Sequence, residues 1–255
     1  MRILALDYDG VIADSKFECL AVGFNTYLNF ESKTKLFDGE RFTYENFKNK
    51  IETNKGLIKK YKSLRPYVID AFCFYVIFYA LENNIEIKNK SDYDNLRKKL
   101  IGLYEQYIKC YYPERSNFQK KINEWLKLLS PYKVTDAIKK LGEKYILTIA
   151  TNNREKSIKP FLDKYEIPVK VIADSTISTN KVKQIEFIKN KYNAEFSDIY
   201  FVDDQVAHFA ALLKLNVKCF MAAWGYNTKE QRKDAENIGV VPVSEKSFYK
   251  KLDYH

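Results

Sequence analysis

Seven side chains of this sequence could do chemistry together, and each stands at the end of a short apolar run or at the start of a helical pattern. Asp7 and Asp9 fall in Asp-Tyr-Asp-Gly, directly after the apolar run at residues 2–6. Thr151 and Asn152 follow the run YILTIA at 145–150, and Asp203 and Asp204 follow the run at 199–202. Lys181 opens a helical pattern between these last two groups. Carboxylates gathered in one place repel one another unless a cation or a lysine intervenes, and their hard oxygens suit Mg²⁺. An aspartate flanked by Mg²⁺ and a lysine can accept a phosphate group and attack its phosphorus. Such a covalent step splits one difficult displacement into two easier ones. Phosphate monoesters hydrolyse so slowly unaided that strong charge neutralisation is required.

Other chemistries have little to work with. His208 and His255 are the only histidines, which disfavours a multi-histidine metal site and a Ser-His-Asp triad. Cys19, Cys73, Cys110 and Cys219 form no Cys-x-x-Cys pair, so neither a zinc site nor a disulfide framework is expected, and a reducing cytoplasm is the expected setting. The N-terminus shows no apolar signal run. The most apolar segment, 67–81, contains Asp70 and falls short of the roughly 20 residues that span a bilayer; it reads as a buried helix. The net charge of +10 invites a nucleic-acid or membrane-surface partner. Lysines are nevertheless mixed with Asp and Glu along the whole chain, without a block of like charges, as on a solvated lysine-rich surface. Nucleic acid and membrane are therefore not expected as partners.

The elements that must position the seven residues follow from periodicity. The run at 2–6 has the pattern of a strand buried on both faces, and Asp14 or Ser15 can cap a helix carrying Phe17, Leu20, Phe24 and Leu28. Residues 15–130 read as mostly helical. Ser91 with Asp94 resembles a capping box, after which Tyr93, Leu96, Leu100, Leu103, Tyr107 and Tyr111 repeat until Pro113. Phe118, Ile122, Trp125, Leu126 and Leu129 share a further helical face, closed by Pro131. Beyond it, helices alternate with short apolar runs at 145–150, 169–173, 199–202 and 217–221, the signature of a parallel sheet covered by helices. A crossover between parallel strands needs a dozen residues or somewhat more, yet Asp7 and Thr151 are 144 positions apart. The surplus predicts an inserted helical domain, 15–130, within an α/β domain made of 1–14 and 131–255. In such sheets ligands bind beyond the carboxyl ends of the strands, where these residues converge.

These stretches carry a family resemblance. DYDGVIADS after an apolar strand resembles the first motif, DxDG[VI]xxDS, of the haloacid dehalogenase-like (HAD) hydrolase superfamily. YILTIATNN resembles its second motif, STNKVKQIEFI the lysine-bearing third and IYFVDDQVAHFAAL the acidic fourth; LNVKCFMAAWGYN is similar to the stretch that follows in phosphoglycolate phosphatase-like members. The resemblance implies a Rossmann-like, doubly wound parallel sheet with an α-helical C1-type cap that closes over the site and excludes water. It implies Asp7 as nucleophile and metal ligand, and Asp9 as general acid/base with its backbone carbonyl on the metal. It further implies Thr151 on the phosphoryl group with Asn152 nearby, and Lys181 neutralising charge. Asp204 would be a direct ligand of Mg²⁺ and Asp203 an outer-shell partner through water. Two features depart from the pattern: His208 stands where many members carry a second acid, and Lys183 fits the third motif as well as Lys181, which is preferred for its place at the helix start.

The function these observations imply is Mg²⁺-dependent hydrolysis of a small phosphorylated metabolite through an aspartyl-phosphate. A phosphomutase would share its first half-reaction. A dehalogenase is disfavoured, since a departing halide needs no proton and the resembling enzymes lack an acid at the position of Asp9. Of a different class is a non-catalytic anion or nucleic-acid binding protein, which Asp7 and Asp9 would hinder by repulsion. Singly, each motif has a plainer role: Asp-x-Asp-Gly makes turns, Thr and Asn cap helices, a lone lysine is solvated, and His208, Trp224 and Tyr226 pack beside the loops. Nothing in the sequence specifies the substrate or an oligomeric state.

Overall fold

The structure is a computed structural model that describes residues 1–254. The chain forms two compact units, one built from Met1–Asp14 and the segment beginning at Ser130, the other from Ser15–Leu129. Among the described residues, no helix is long and apolar enough to cross a membrane.

Among the described residues, the first unit holds eight strands: β1 (Ile3–Leu6), β2 (Ala13–Asp14), β3 (Ser130–Pro131), β4 (Ile146–Ala150), β5 (Val171–Ala173), β6 (Ile199–Asp203), β7 (Lys218–Ala222) and β8 (Val241–Val243). Six form an all-parallel sheet in the order β5-β4-β1-β6-β7-β8. β1 lies inside it, Ile3 opposite Ile146 on one side and Ile199 on the other. Its four side chains are fully buried, as an unbroken apolar run on a sheet covered on both faces must be. On one face Ile3, Ala5, Phe201 and Met221 pack with Ile185, Ile188, Phe209 and Leu212 from the helices. The chain leaves and re-enters this unit through a short antiparallel ribbon, Ala13 opposite Pro131 and Asp14 opposite Ser130.

The C-terminal strand and its flanking helices, Lys229–Asn237 and Glu245–Asp253, were not anticipated from the apolar pattern. Val241–Val243 is only three residues long and contains a proline, tolerable because it lies at the sheet edge. Both helices start in reciprocal caps, Thr228 with Gln231 and Ser244 with Ser247.

The second unit is helical. Lys16–Tyr27 packs against Phe72–Glu82 and Tyr104–Gln119. A methyl at Gly23 would lie 2.8 Å from Phe74 Cβ, so the glycine allows the two helices their close approach. Phe24 meets the rings of Phe37, Phe42 and Phe78 at 4.8, 5.7 and 5.4 Å. The core of this unit is thus largely aromatic, with each ring pair adding to its apolar burial.

Several expected boundaries move. The helix expected to begin at Ser91 is Lys90–Leu100, capped by Asn89, whose side chain accepts from the Asp92 amide at 3.0 Å. The pattern running on to Pro113 is broken at Ile101–Leu103, which contains Gly102. Pro113 does not end the next helix but lies inside it: burial of Tyr107, Tyr111, Arg115 and Phe118 along one face outweighs the loss of one backbone hydrogen bond. The expected helix 67–81 is shorter, Phe72–Glu82, after a tight turn at Arg65–Tyr67. Neither Asp14 nor Ser15 caps Lys16–Tyr27 with its side chain: the Asp14 carboxylate accepts the Tyr226 hydroxyl at 2.8 Å, and Ser15 makes no capping bond.

Inside this unit Arg115 Nε donates to Glu18 Oε1 at 2.7 Å, both side chains being buried, and Trp125 Nε1 approaches the same oxygen at 3.5 Å. Removing one partner of a buried pair strands the other charge. Arg115→Met should lower the unfolding free energy by about 3–5 kcal/mol in chemical denaturation, and Glu18→Met combined with Arg115→Met should recover most of that loss. A single substitution costing less than about 1 kcal/mol, as exposed pairs do, would show that the Glu18 charge does not depend on Arg115.

Candidate active site

The Asp-Tyr-Asp-Gly turn begins where β1 ends, with the Asp7 amide bonded to the Val202 carbonyl at 2.9 Å. Alternation sends Tyr8 into the core, edge-on to Phe161 at 5.5 Å, and leaves Asp7 and Asp9 on the other side. The turn closes as the Ile12 and Ala13 amides bond to the Tyr8 carbonyl at 3.0 and 2.9 Å. Gly10 adopts φ +79°, and a methyl there would sit 2.0 Å from Asp204 Oδ2. A methyl at Gly225 would lie 2.4 Å from Asp204 Cβ. Asp204 is thus wedged between two backbone segments that only glycine lets so close.

Asp7, Asp203 and Asp204 are buried, and each offers a carboxylate oxygen within 4.8 Å of the others. Each also has one oxygen fixed by a backbone amide. Tyr8 N donates to Asp7 Oδ1 at 2.8 Å, Gln205 N to Asp203 Oδ1 at 2.9 Å and Tyr226 N to Asp204 Oδ2 at 2.5 Å.

Lys181 is the buried cation of this cluster. It is the first residue of the helix Lys181–Tyr192, whose cap is the Asn180 side chain accepting from the Val182 amide at 2.8 Å. From there its Nζ reaches Asp7 Oδ1 at 3.0 Å, the Ala150 carbonyl at 2.6 Å and Asp203 Oδ2 at 3.7 Å. Lys183, two residues on, is exposed, which separates two lysines that sequence alone left in competition. Burial works against the Lys181 charge, but the Asp7 and Asp203 carboxylates outweigh it and raise its pKa above the ordinary lysine value.

The acids divide. Burial pushes Asp7 up to about 6; Lys181 opposes the rise, while Asp203 and Asp9 add to it. Asp203 suffers the same burial, yet His208 and Lys181 hold it down at about 2. His208 Nδ1 lies 2.7 Å from Asp203 Oδ2. This contact was not legible in the sequence, where His208 read as a packing or surface residue. With three buried carboxylates against one lysine and one imidazole, negative charge is in excess. A donor set made only of carboxylate oxygens fits a hard divalent cation.

Thr151 follows β4, buried, its amide on the Ala173 carbonyl at 3.0 Å and its own carbonyl accepting from Gln184 Nε2 at 2.7 Å. Asn152 is exposed and accepts from Gln184 Nε2 at 3.5 Å. The inward-facing amide is instead Asn153, buried, with Nδ2 2.6 Å from Asp9 Oδ2. The sequence pointed to Asn152 and did not single out its neighbour Asn153, although the doubled Asn-Asn offered both. Asp174 was not singled out in the sequence either, whereas Trp224 and Tyr226 were expected to pack beside the loops. Asp174, past β5, accepts from the Glu155 and Thr176 amides, both at 2.8 Å, and fastens the loops on either side. Tyr226 bonds through its amide to Asp204 and through its hydroxyl to Asp14, while Trp224 Nε1 donates to the Val11 carbonyl at 3.1 Å.

No family model matches this sequence, and no curated protein matches it. Solved structures do. A haloacid dehalogenase-like family hydrolase from Streptococcus pneumoniae superposes with a TM-score of 0.64 at 12% identity, over 100% of this chain and 99% of that one. A structure described as a predicted phosphoglycolate phosphatase from Haemophilus somnus gives 0.59 at 14%, over 99% and 98%. An L-2-haloacid dehalogenase gives 0.53 at 10%, over 99% of both chains. At such identities the likeness is one of fold, and it runs the length of the chain: the architecture of this protein is that of the haloacid dehalogenase-like hydrolases.

Proposed function

We propose that this protein is a Mg²⁺-dependent phosphomonoester hydrolase of the haloacid dehalogenase-like superfamily, acting on a small phosphorylated metabolite through an aspartyl-phosphate on Asp7. One observation carries this reading. A buried aspartate at the end of an interior strand has a lysine at 3.0 Å, two further buried carboxylates beside it, and a second acid two residues away in the same turn. Asp7 and Asp204, with the Asp9 carbonyl, would hold the metal, which when bound offsets phosphoryl charge and leaves Asp7 ionised. Asp203 supports them indirectly, since both its oxygens already have partners in Gln205 and His208.

The chain's own residues then divide the work. An Asp7 oxygen forms a bond to phosphorus as the ester P–O bond breaks, and the departing oxygen takes the proton of the Asp9 carboxyl. A water next gives a proton to Asp9 and its oxygen to phosphorus, which frees Asp7 and inorganic phosphate. Lys181 holds charge on Asp7 and on the bound phosphoryl group, and Thr151 hydrogen-bonds that group. Ester cleavage needs the acid at position 9 whereas halide loss does not, which favours a phosphatase over a dehalogenase on the shared fold. The helical unit, 15–129, serves in this reading as a C1-type cap that sets substrate preference. Four cysteines held as thiols rather than disulfides suit a reducing cytoplasm.

Purified protein should release p-nitrophenol from p-nitrophenyl phosphate with Mg²⁺ and lose that activity to chelator. Asp7→Asn should abolish turnover with the circular dichroism unchanged; a normal rate would remove Asp7 as nucleophile. Asp9→Asn should cost roughly 10²–10⁴-fold in kcat.

The metal-free protein should also show a pH signature in its melting temperature. Asp7 is neutral in both folded and unfolded chains below about pH 4, the ordinary carboxyl value, but ionises only near 6 when folded. Its contribution to stability is therefore present below about pH 4 and is lost as pH rises through about 6. Asp203 acts in the opposite sense and in another window, its contribution holding above about pH 4 and failing as pH drops toward 2. Melting curves of the chelated protein between pH 4.5 and 7 should fall with pH, and Asp7→Asn should flatten that fall. Mg²⁺ should raise the melting temperature more at pH 7.5 than at pH 5, because it needs the ionised carboxylate.

A further inference from the structure

We propose that Asn153 is a positioning residue for Asp9, its side-chain amide selecting which carboxyl oxygen meets the bond being cleaved. The proposal rests on the phosphoester reading above. Asn153 Nδ2 lies 2.6 Å from Asp9 Oδ2. An amide nitrogen only donates, so Oδ2 is committed as an acceptor. The other oxygen, Oδ1, is buried and has no hydrogen-bond partner among the described residues. Leaving a buried carboxyl oxygen unpartnered costs free energy, and such an atom calls for an explanation. It is the one oxygen of Asp9 whose hydrogen-bonding capacity is left unspent within the protein.

Asn153 is itself held rigidly enough to do this. Its amide N–H donates to Thr151 Oγ1 at 3.2 Å, and its carbonyl accepts from the Ser175 amide at 3.2 Å. The Thr151 carbonyl is tied in turn to Gln184 Nε2 at 2.7 Å, from a side chain that is fully buried. The loop that presents Thr151 to a phosphoryl group therefore also fixes the Asp9 carboxyl, and both are set before substrate arrives. In the cleavage step the Oδ1–H bond breaks as the ester bond breaks, and the proton goes to the leaving oxygen. Asp9 remains a carboxylate held through Oδ2. In the second step the attacking water returns a proton to Oδ1.

A leaving group that departs poorly needs this proton more than one that departs well, and the test uses that difference. The full chain with Mg²⁺ is assayed on phenyl phosphate and p-nitrophenyl phosphate, esters of similar shape whose leaving groups differ in basicity. In Asn153→Leu the kcat/KM ratio of p-nitrophenyl to phenyl phosphate should rise roughly tenfold or more, part of what a general acid contributes. The same substitution in an Asp9→Ala background should raise the ratio no further. Asn153→Ala, which removes the donor without adding a charge, should shift the ratio likewise and serves if Asn153→Leu does not fold. A purely structural role would lower both rates together. A folded variant with the wild-type ratio, or an equal rise in the Asp9→Ala background, overturns the proposal. If the wild-type chain releases phosphate from neither ester, the phosphoester reading falls, and this inference falls with it.

Discussion

The ammonium of Lys181, buried between Asp7 and Asp203, is the contact on which the rest of the site depends. Three carboxylates buried side by side would push one another toward the neutral form. A single lysine offsets part of that repulsion, and backbone amides at Tyr8, Gln205 and Tyr226 each hold one carboxylate oxygen. Charge balance is left deliberately short: Asp203, with His208 and Lys181 beside it, stays acidic, whereas Asp7 does not. Asp7 directly follows the interior strand β1, and Asp203 ends the interior strand β6 beside it. Carboxylates buried together in this way are characteristic of a site organised for a ligand more than for stability.

The surrounding architecture serves that economy of charge. Parallel strands bring the groups to one edge of the sheet, and glycines at 10 and 225 let two backbone segments close on Asp204. The loop after β4 contributes Thr151 and Asn153 together, held by Gln184 below and by the Asp174 loop alongside. The helical unit is built differently. Its centre is aromatic, with rings meeting edge to face, and its one fully buried carboxylate is matched by an arginine.

Much of this was legible in the residues. Apolar runs ending in polar clusters located β1, β4 and β6, and the long interval between Asp7 and Thr151 announced the insertion. What escaped did so for physical reasons. Pro113 reads as a helix end because local backbone chemistry forbids it inside, yet four buried side chains on one face override that preference. Ser91 and Asn89 are both good caps, and only the realised bond to Asp92 separates them. Asn152 and Asn153 are chemically identical neighbours, so direction decides their roles, and direction is a property of the folded loop. His208 and Asp203, five positions apart, meet across a turn whose geometry no periodicity encodes. The edge strand at 241–243 is too short to leave a pattern, although Thr228-x-x-Gln231 ahead of it was a readable helix start.

The placement of β1 has a consequence for how the molecule is assembled. β1 is an interior strand of the finished sheet, and its two neighbours are distant in the chain, Ile3 meeting Ile146 and Ile199. Its edges therefore stay unpaired until residues 146–150 and 199–203 have been made. Contacts of such long sequence separation form slowly, because loop closure is costly before it is rewarded. The acidic centre cannot precede β6, so its formation reports that β1 has found that neighbour, and a chain halted before that strand exposes a sticky apolar ribbon instead.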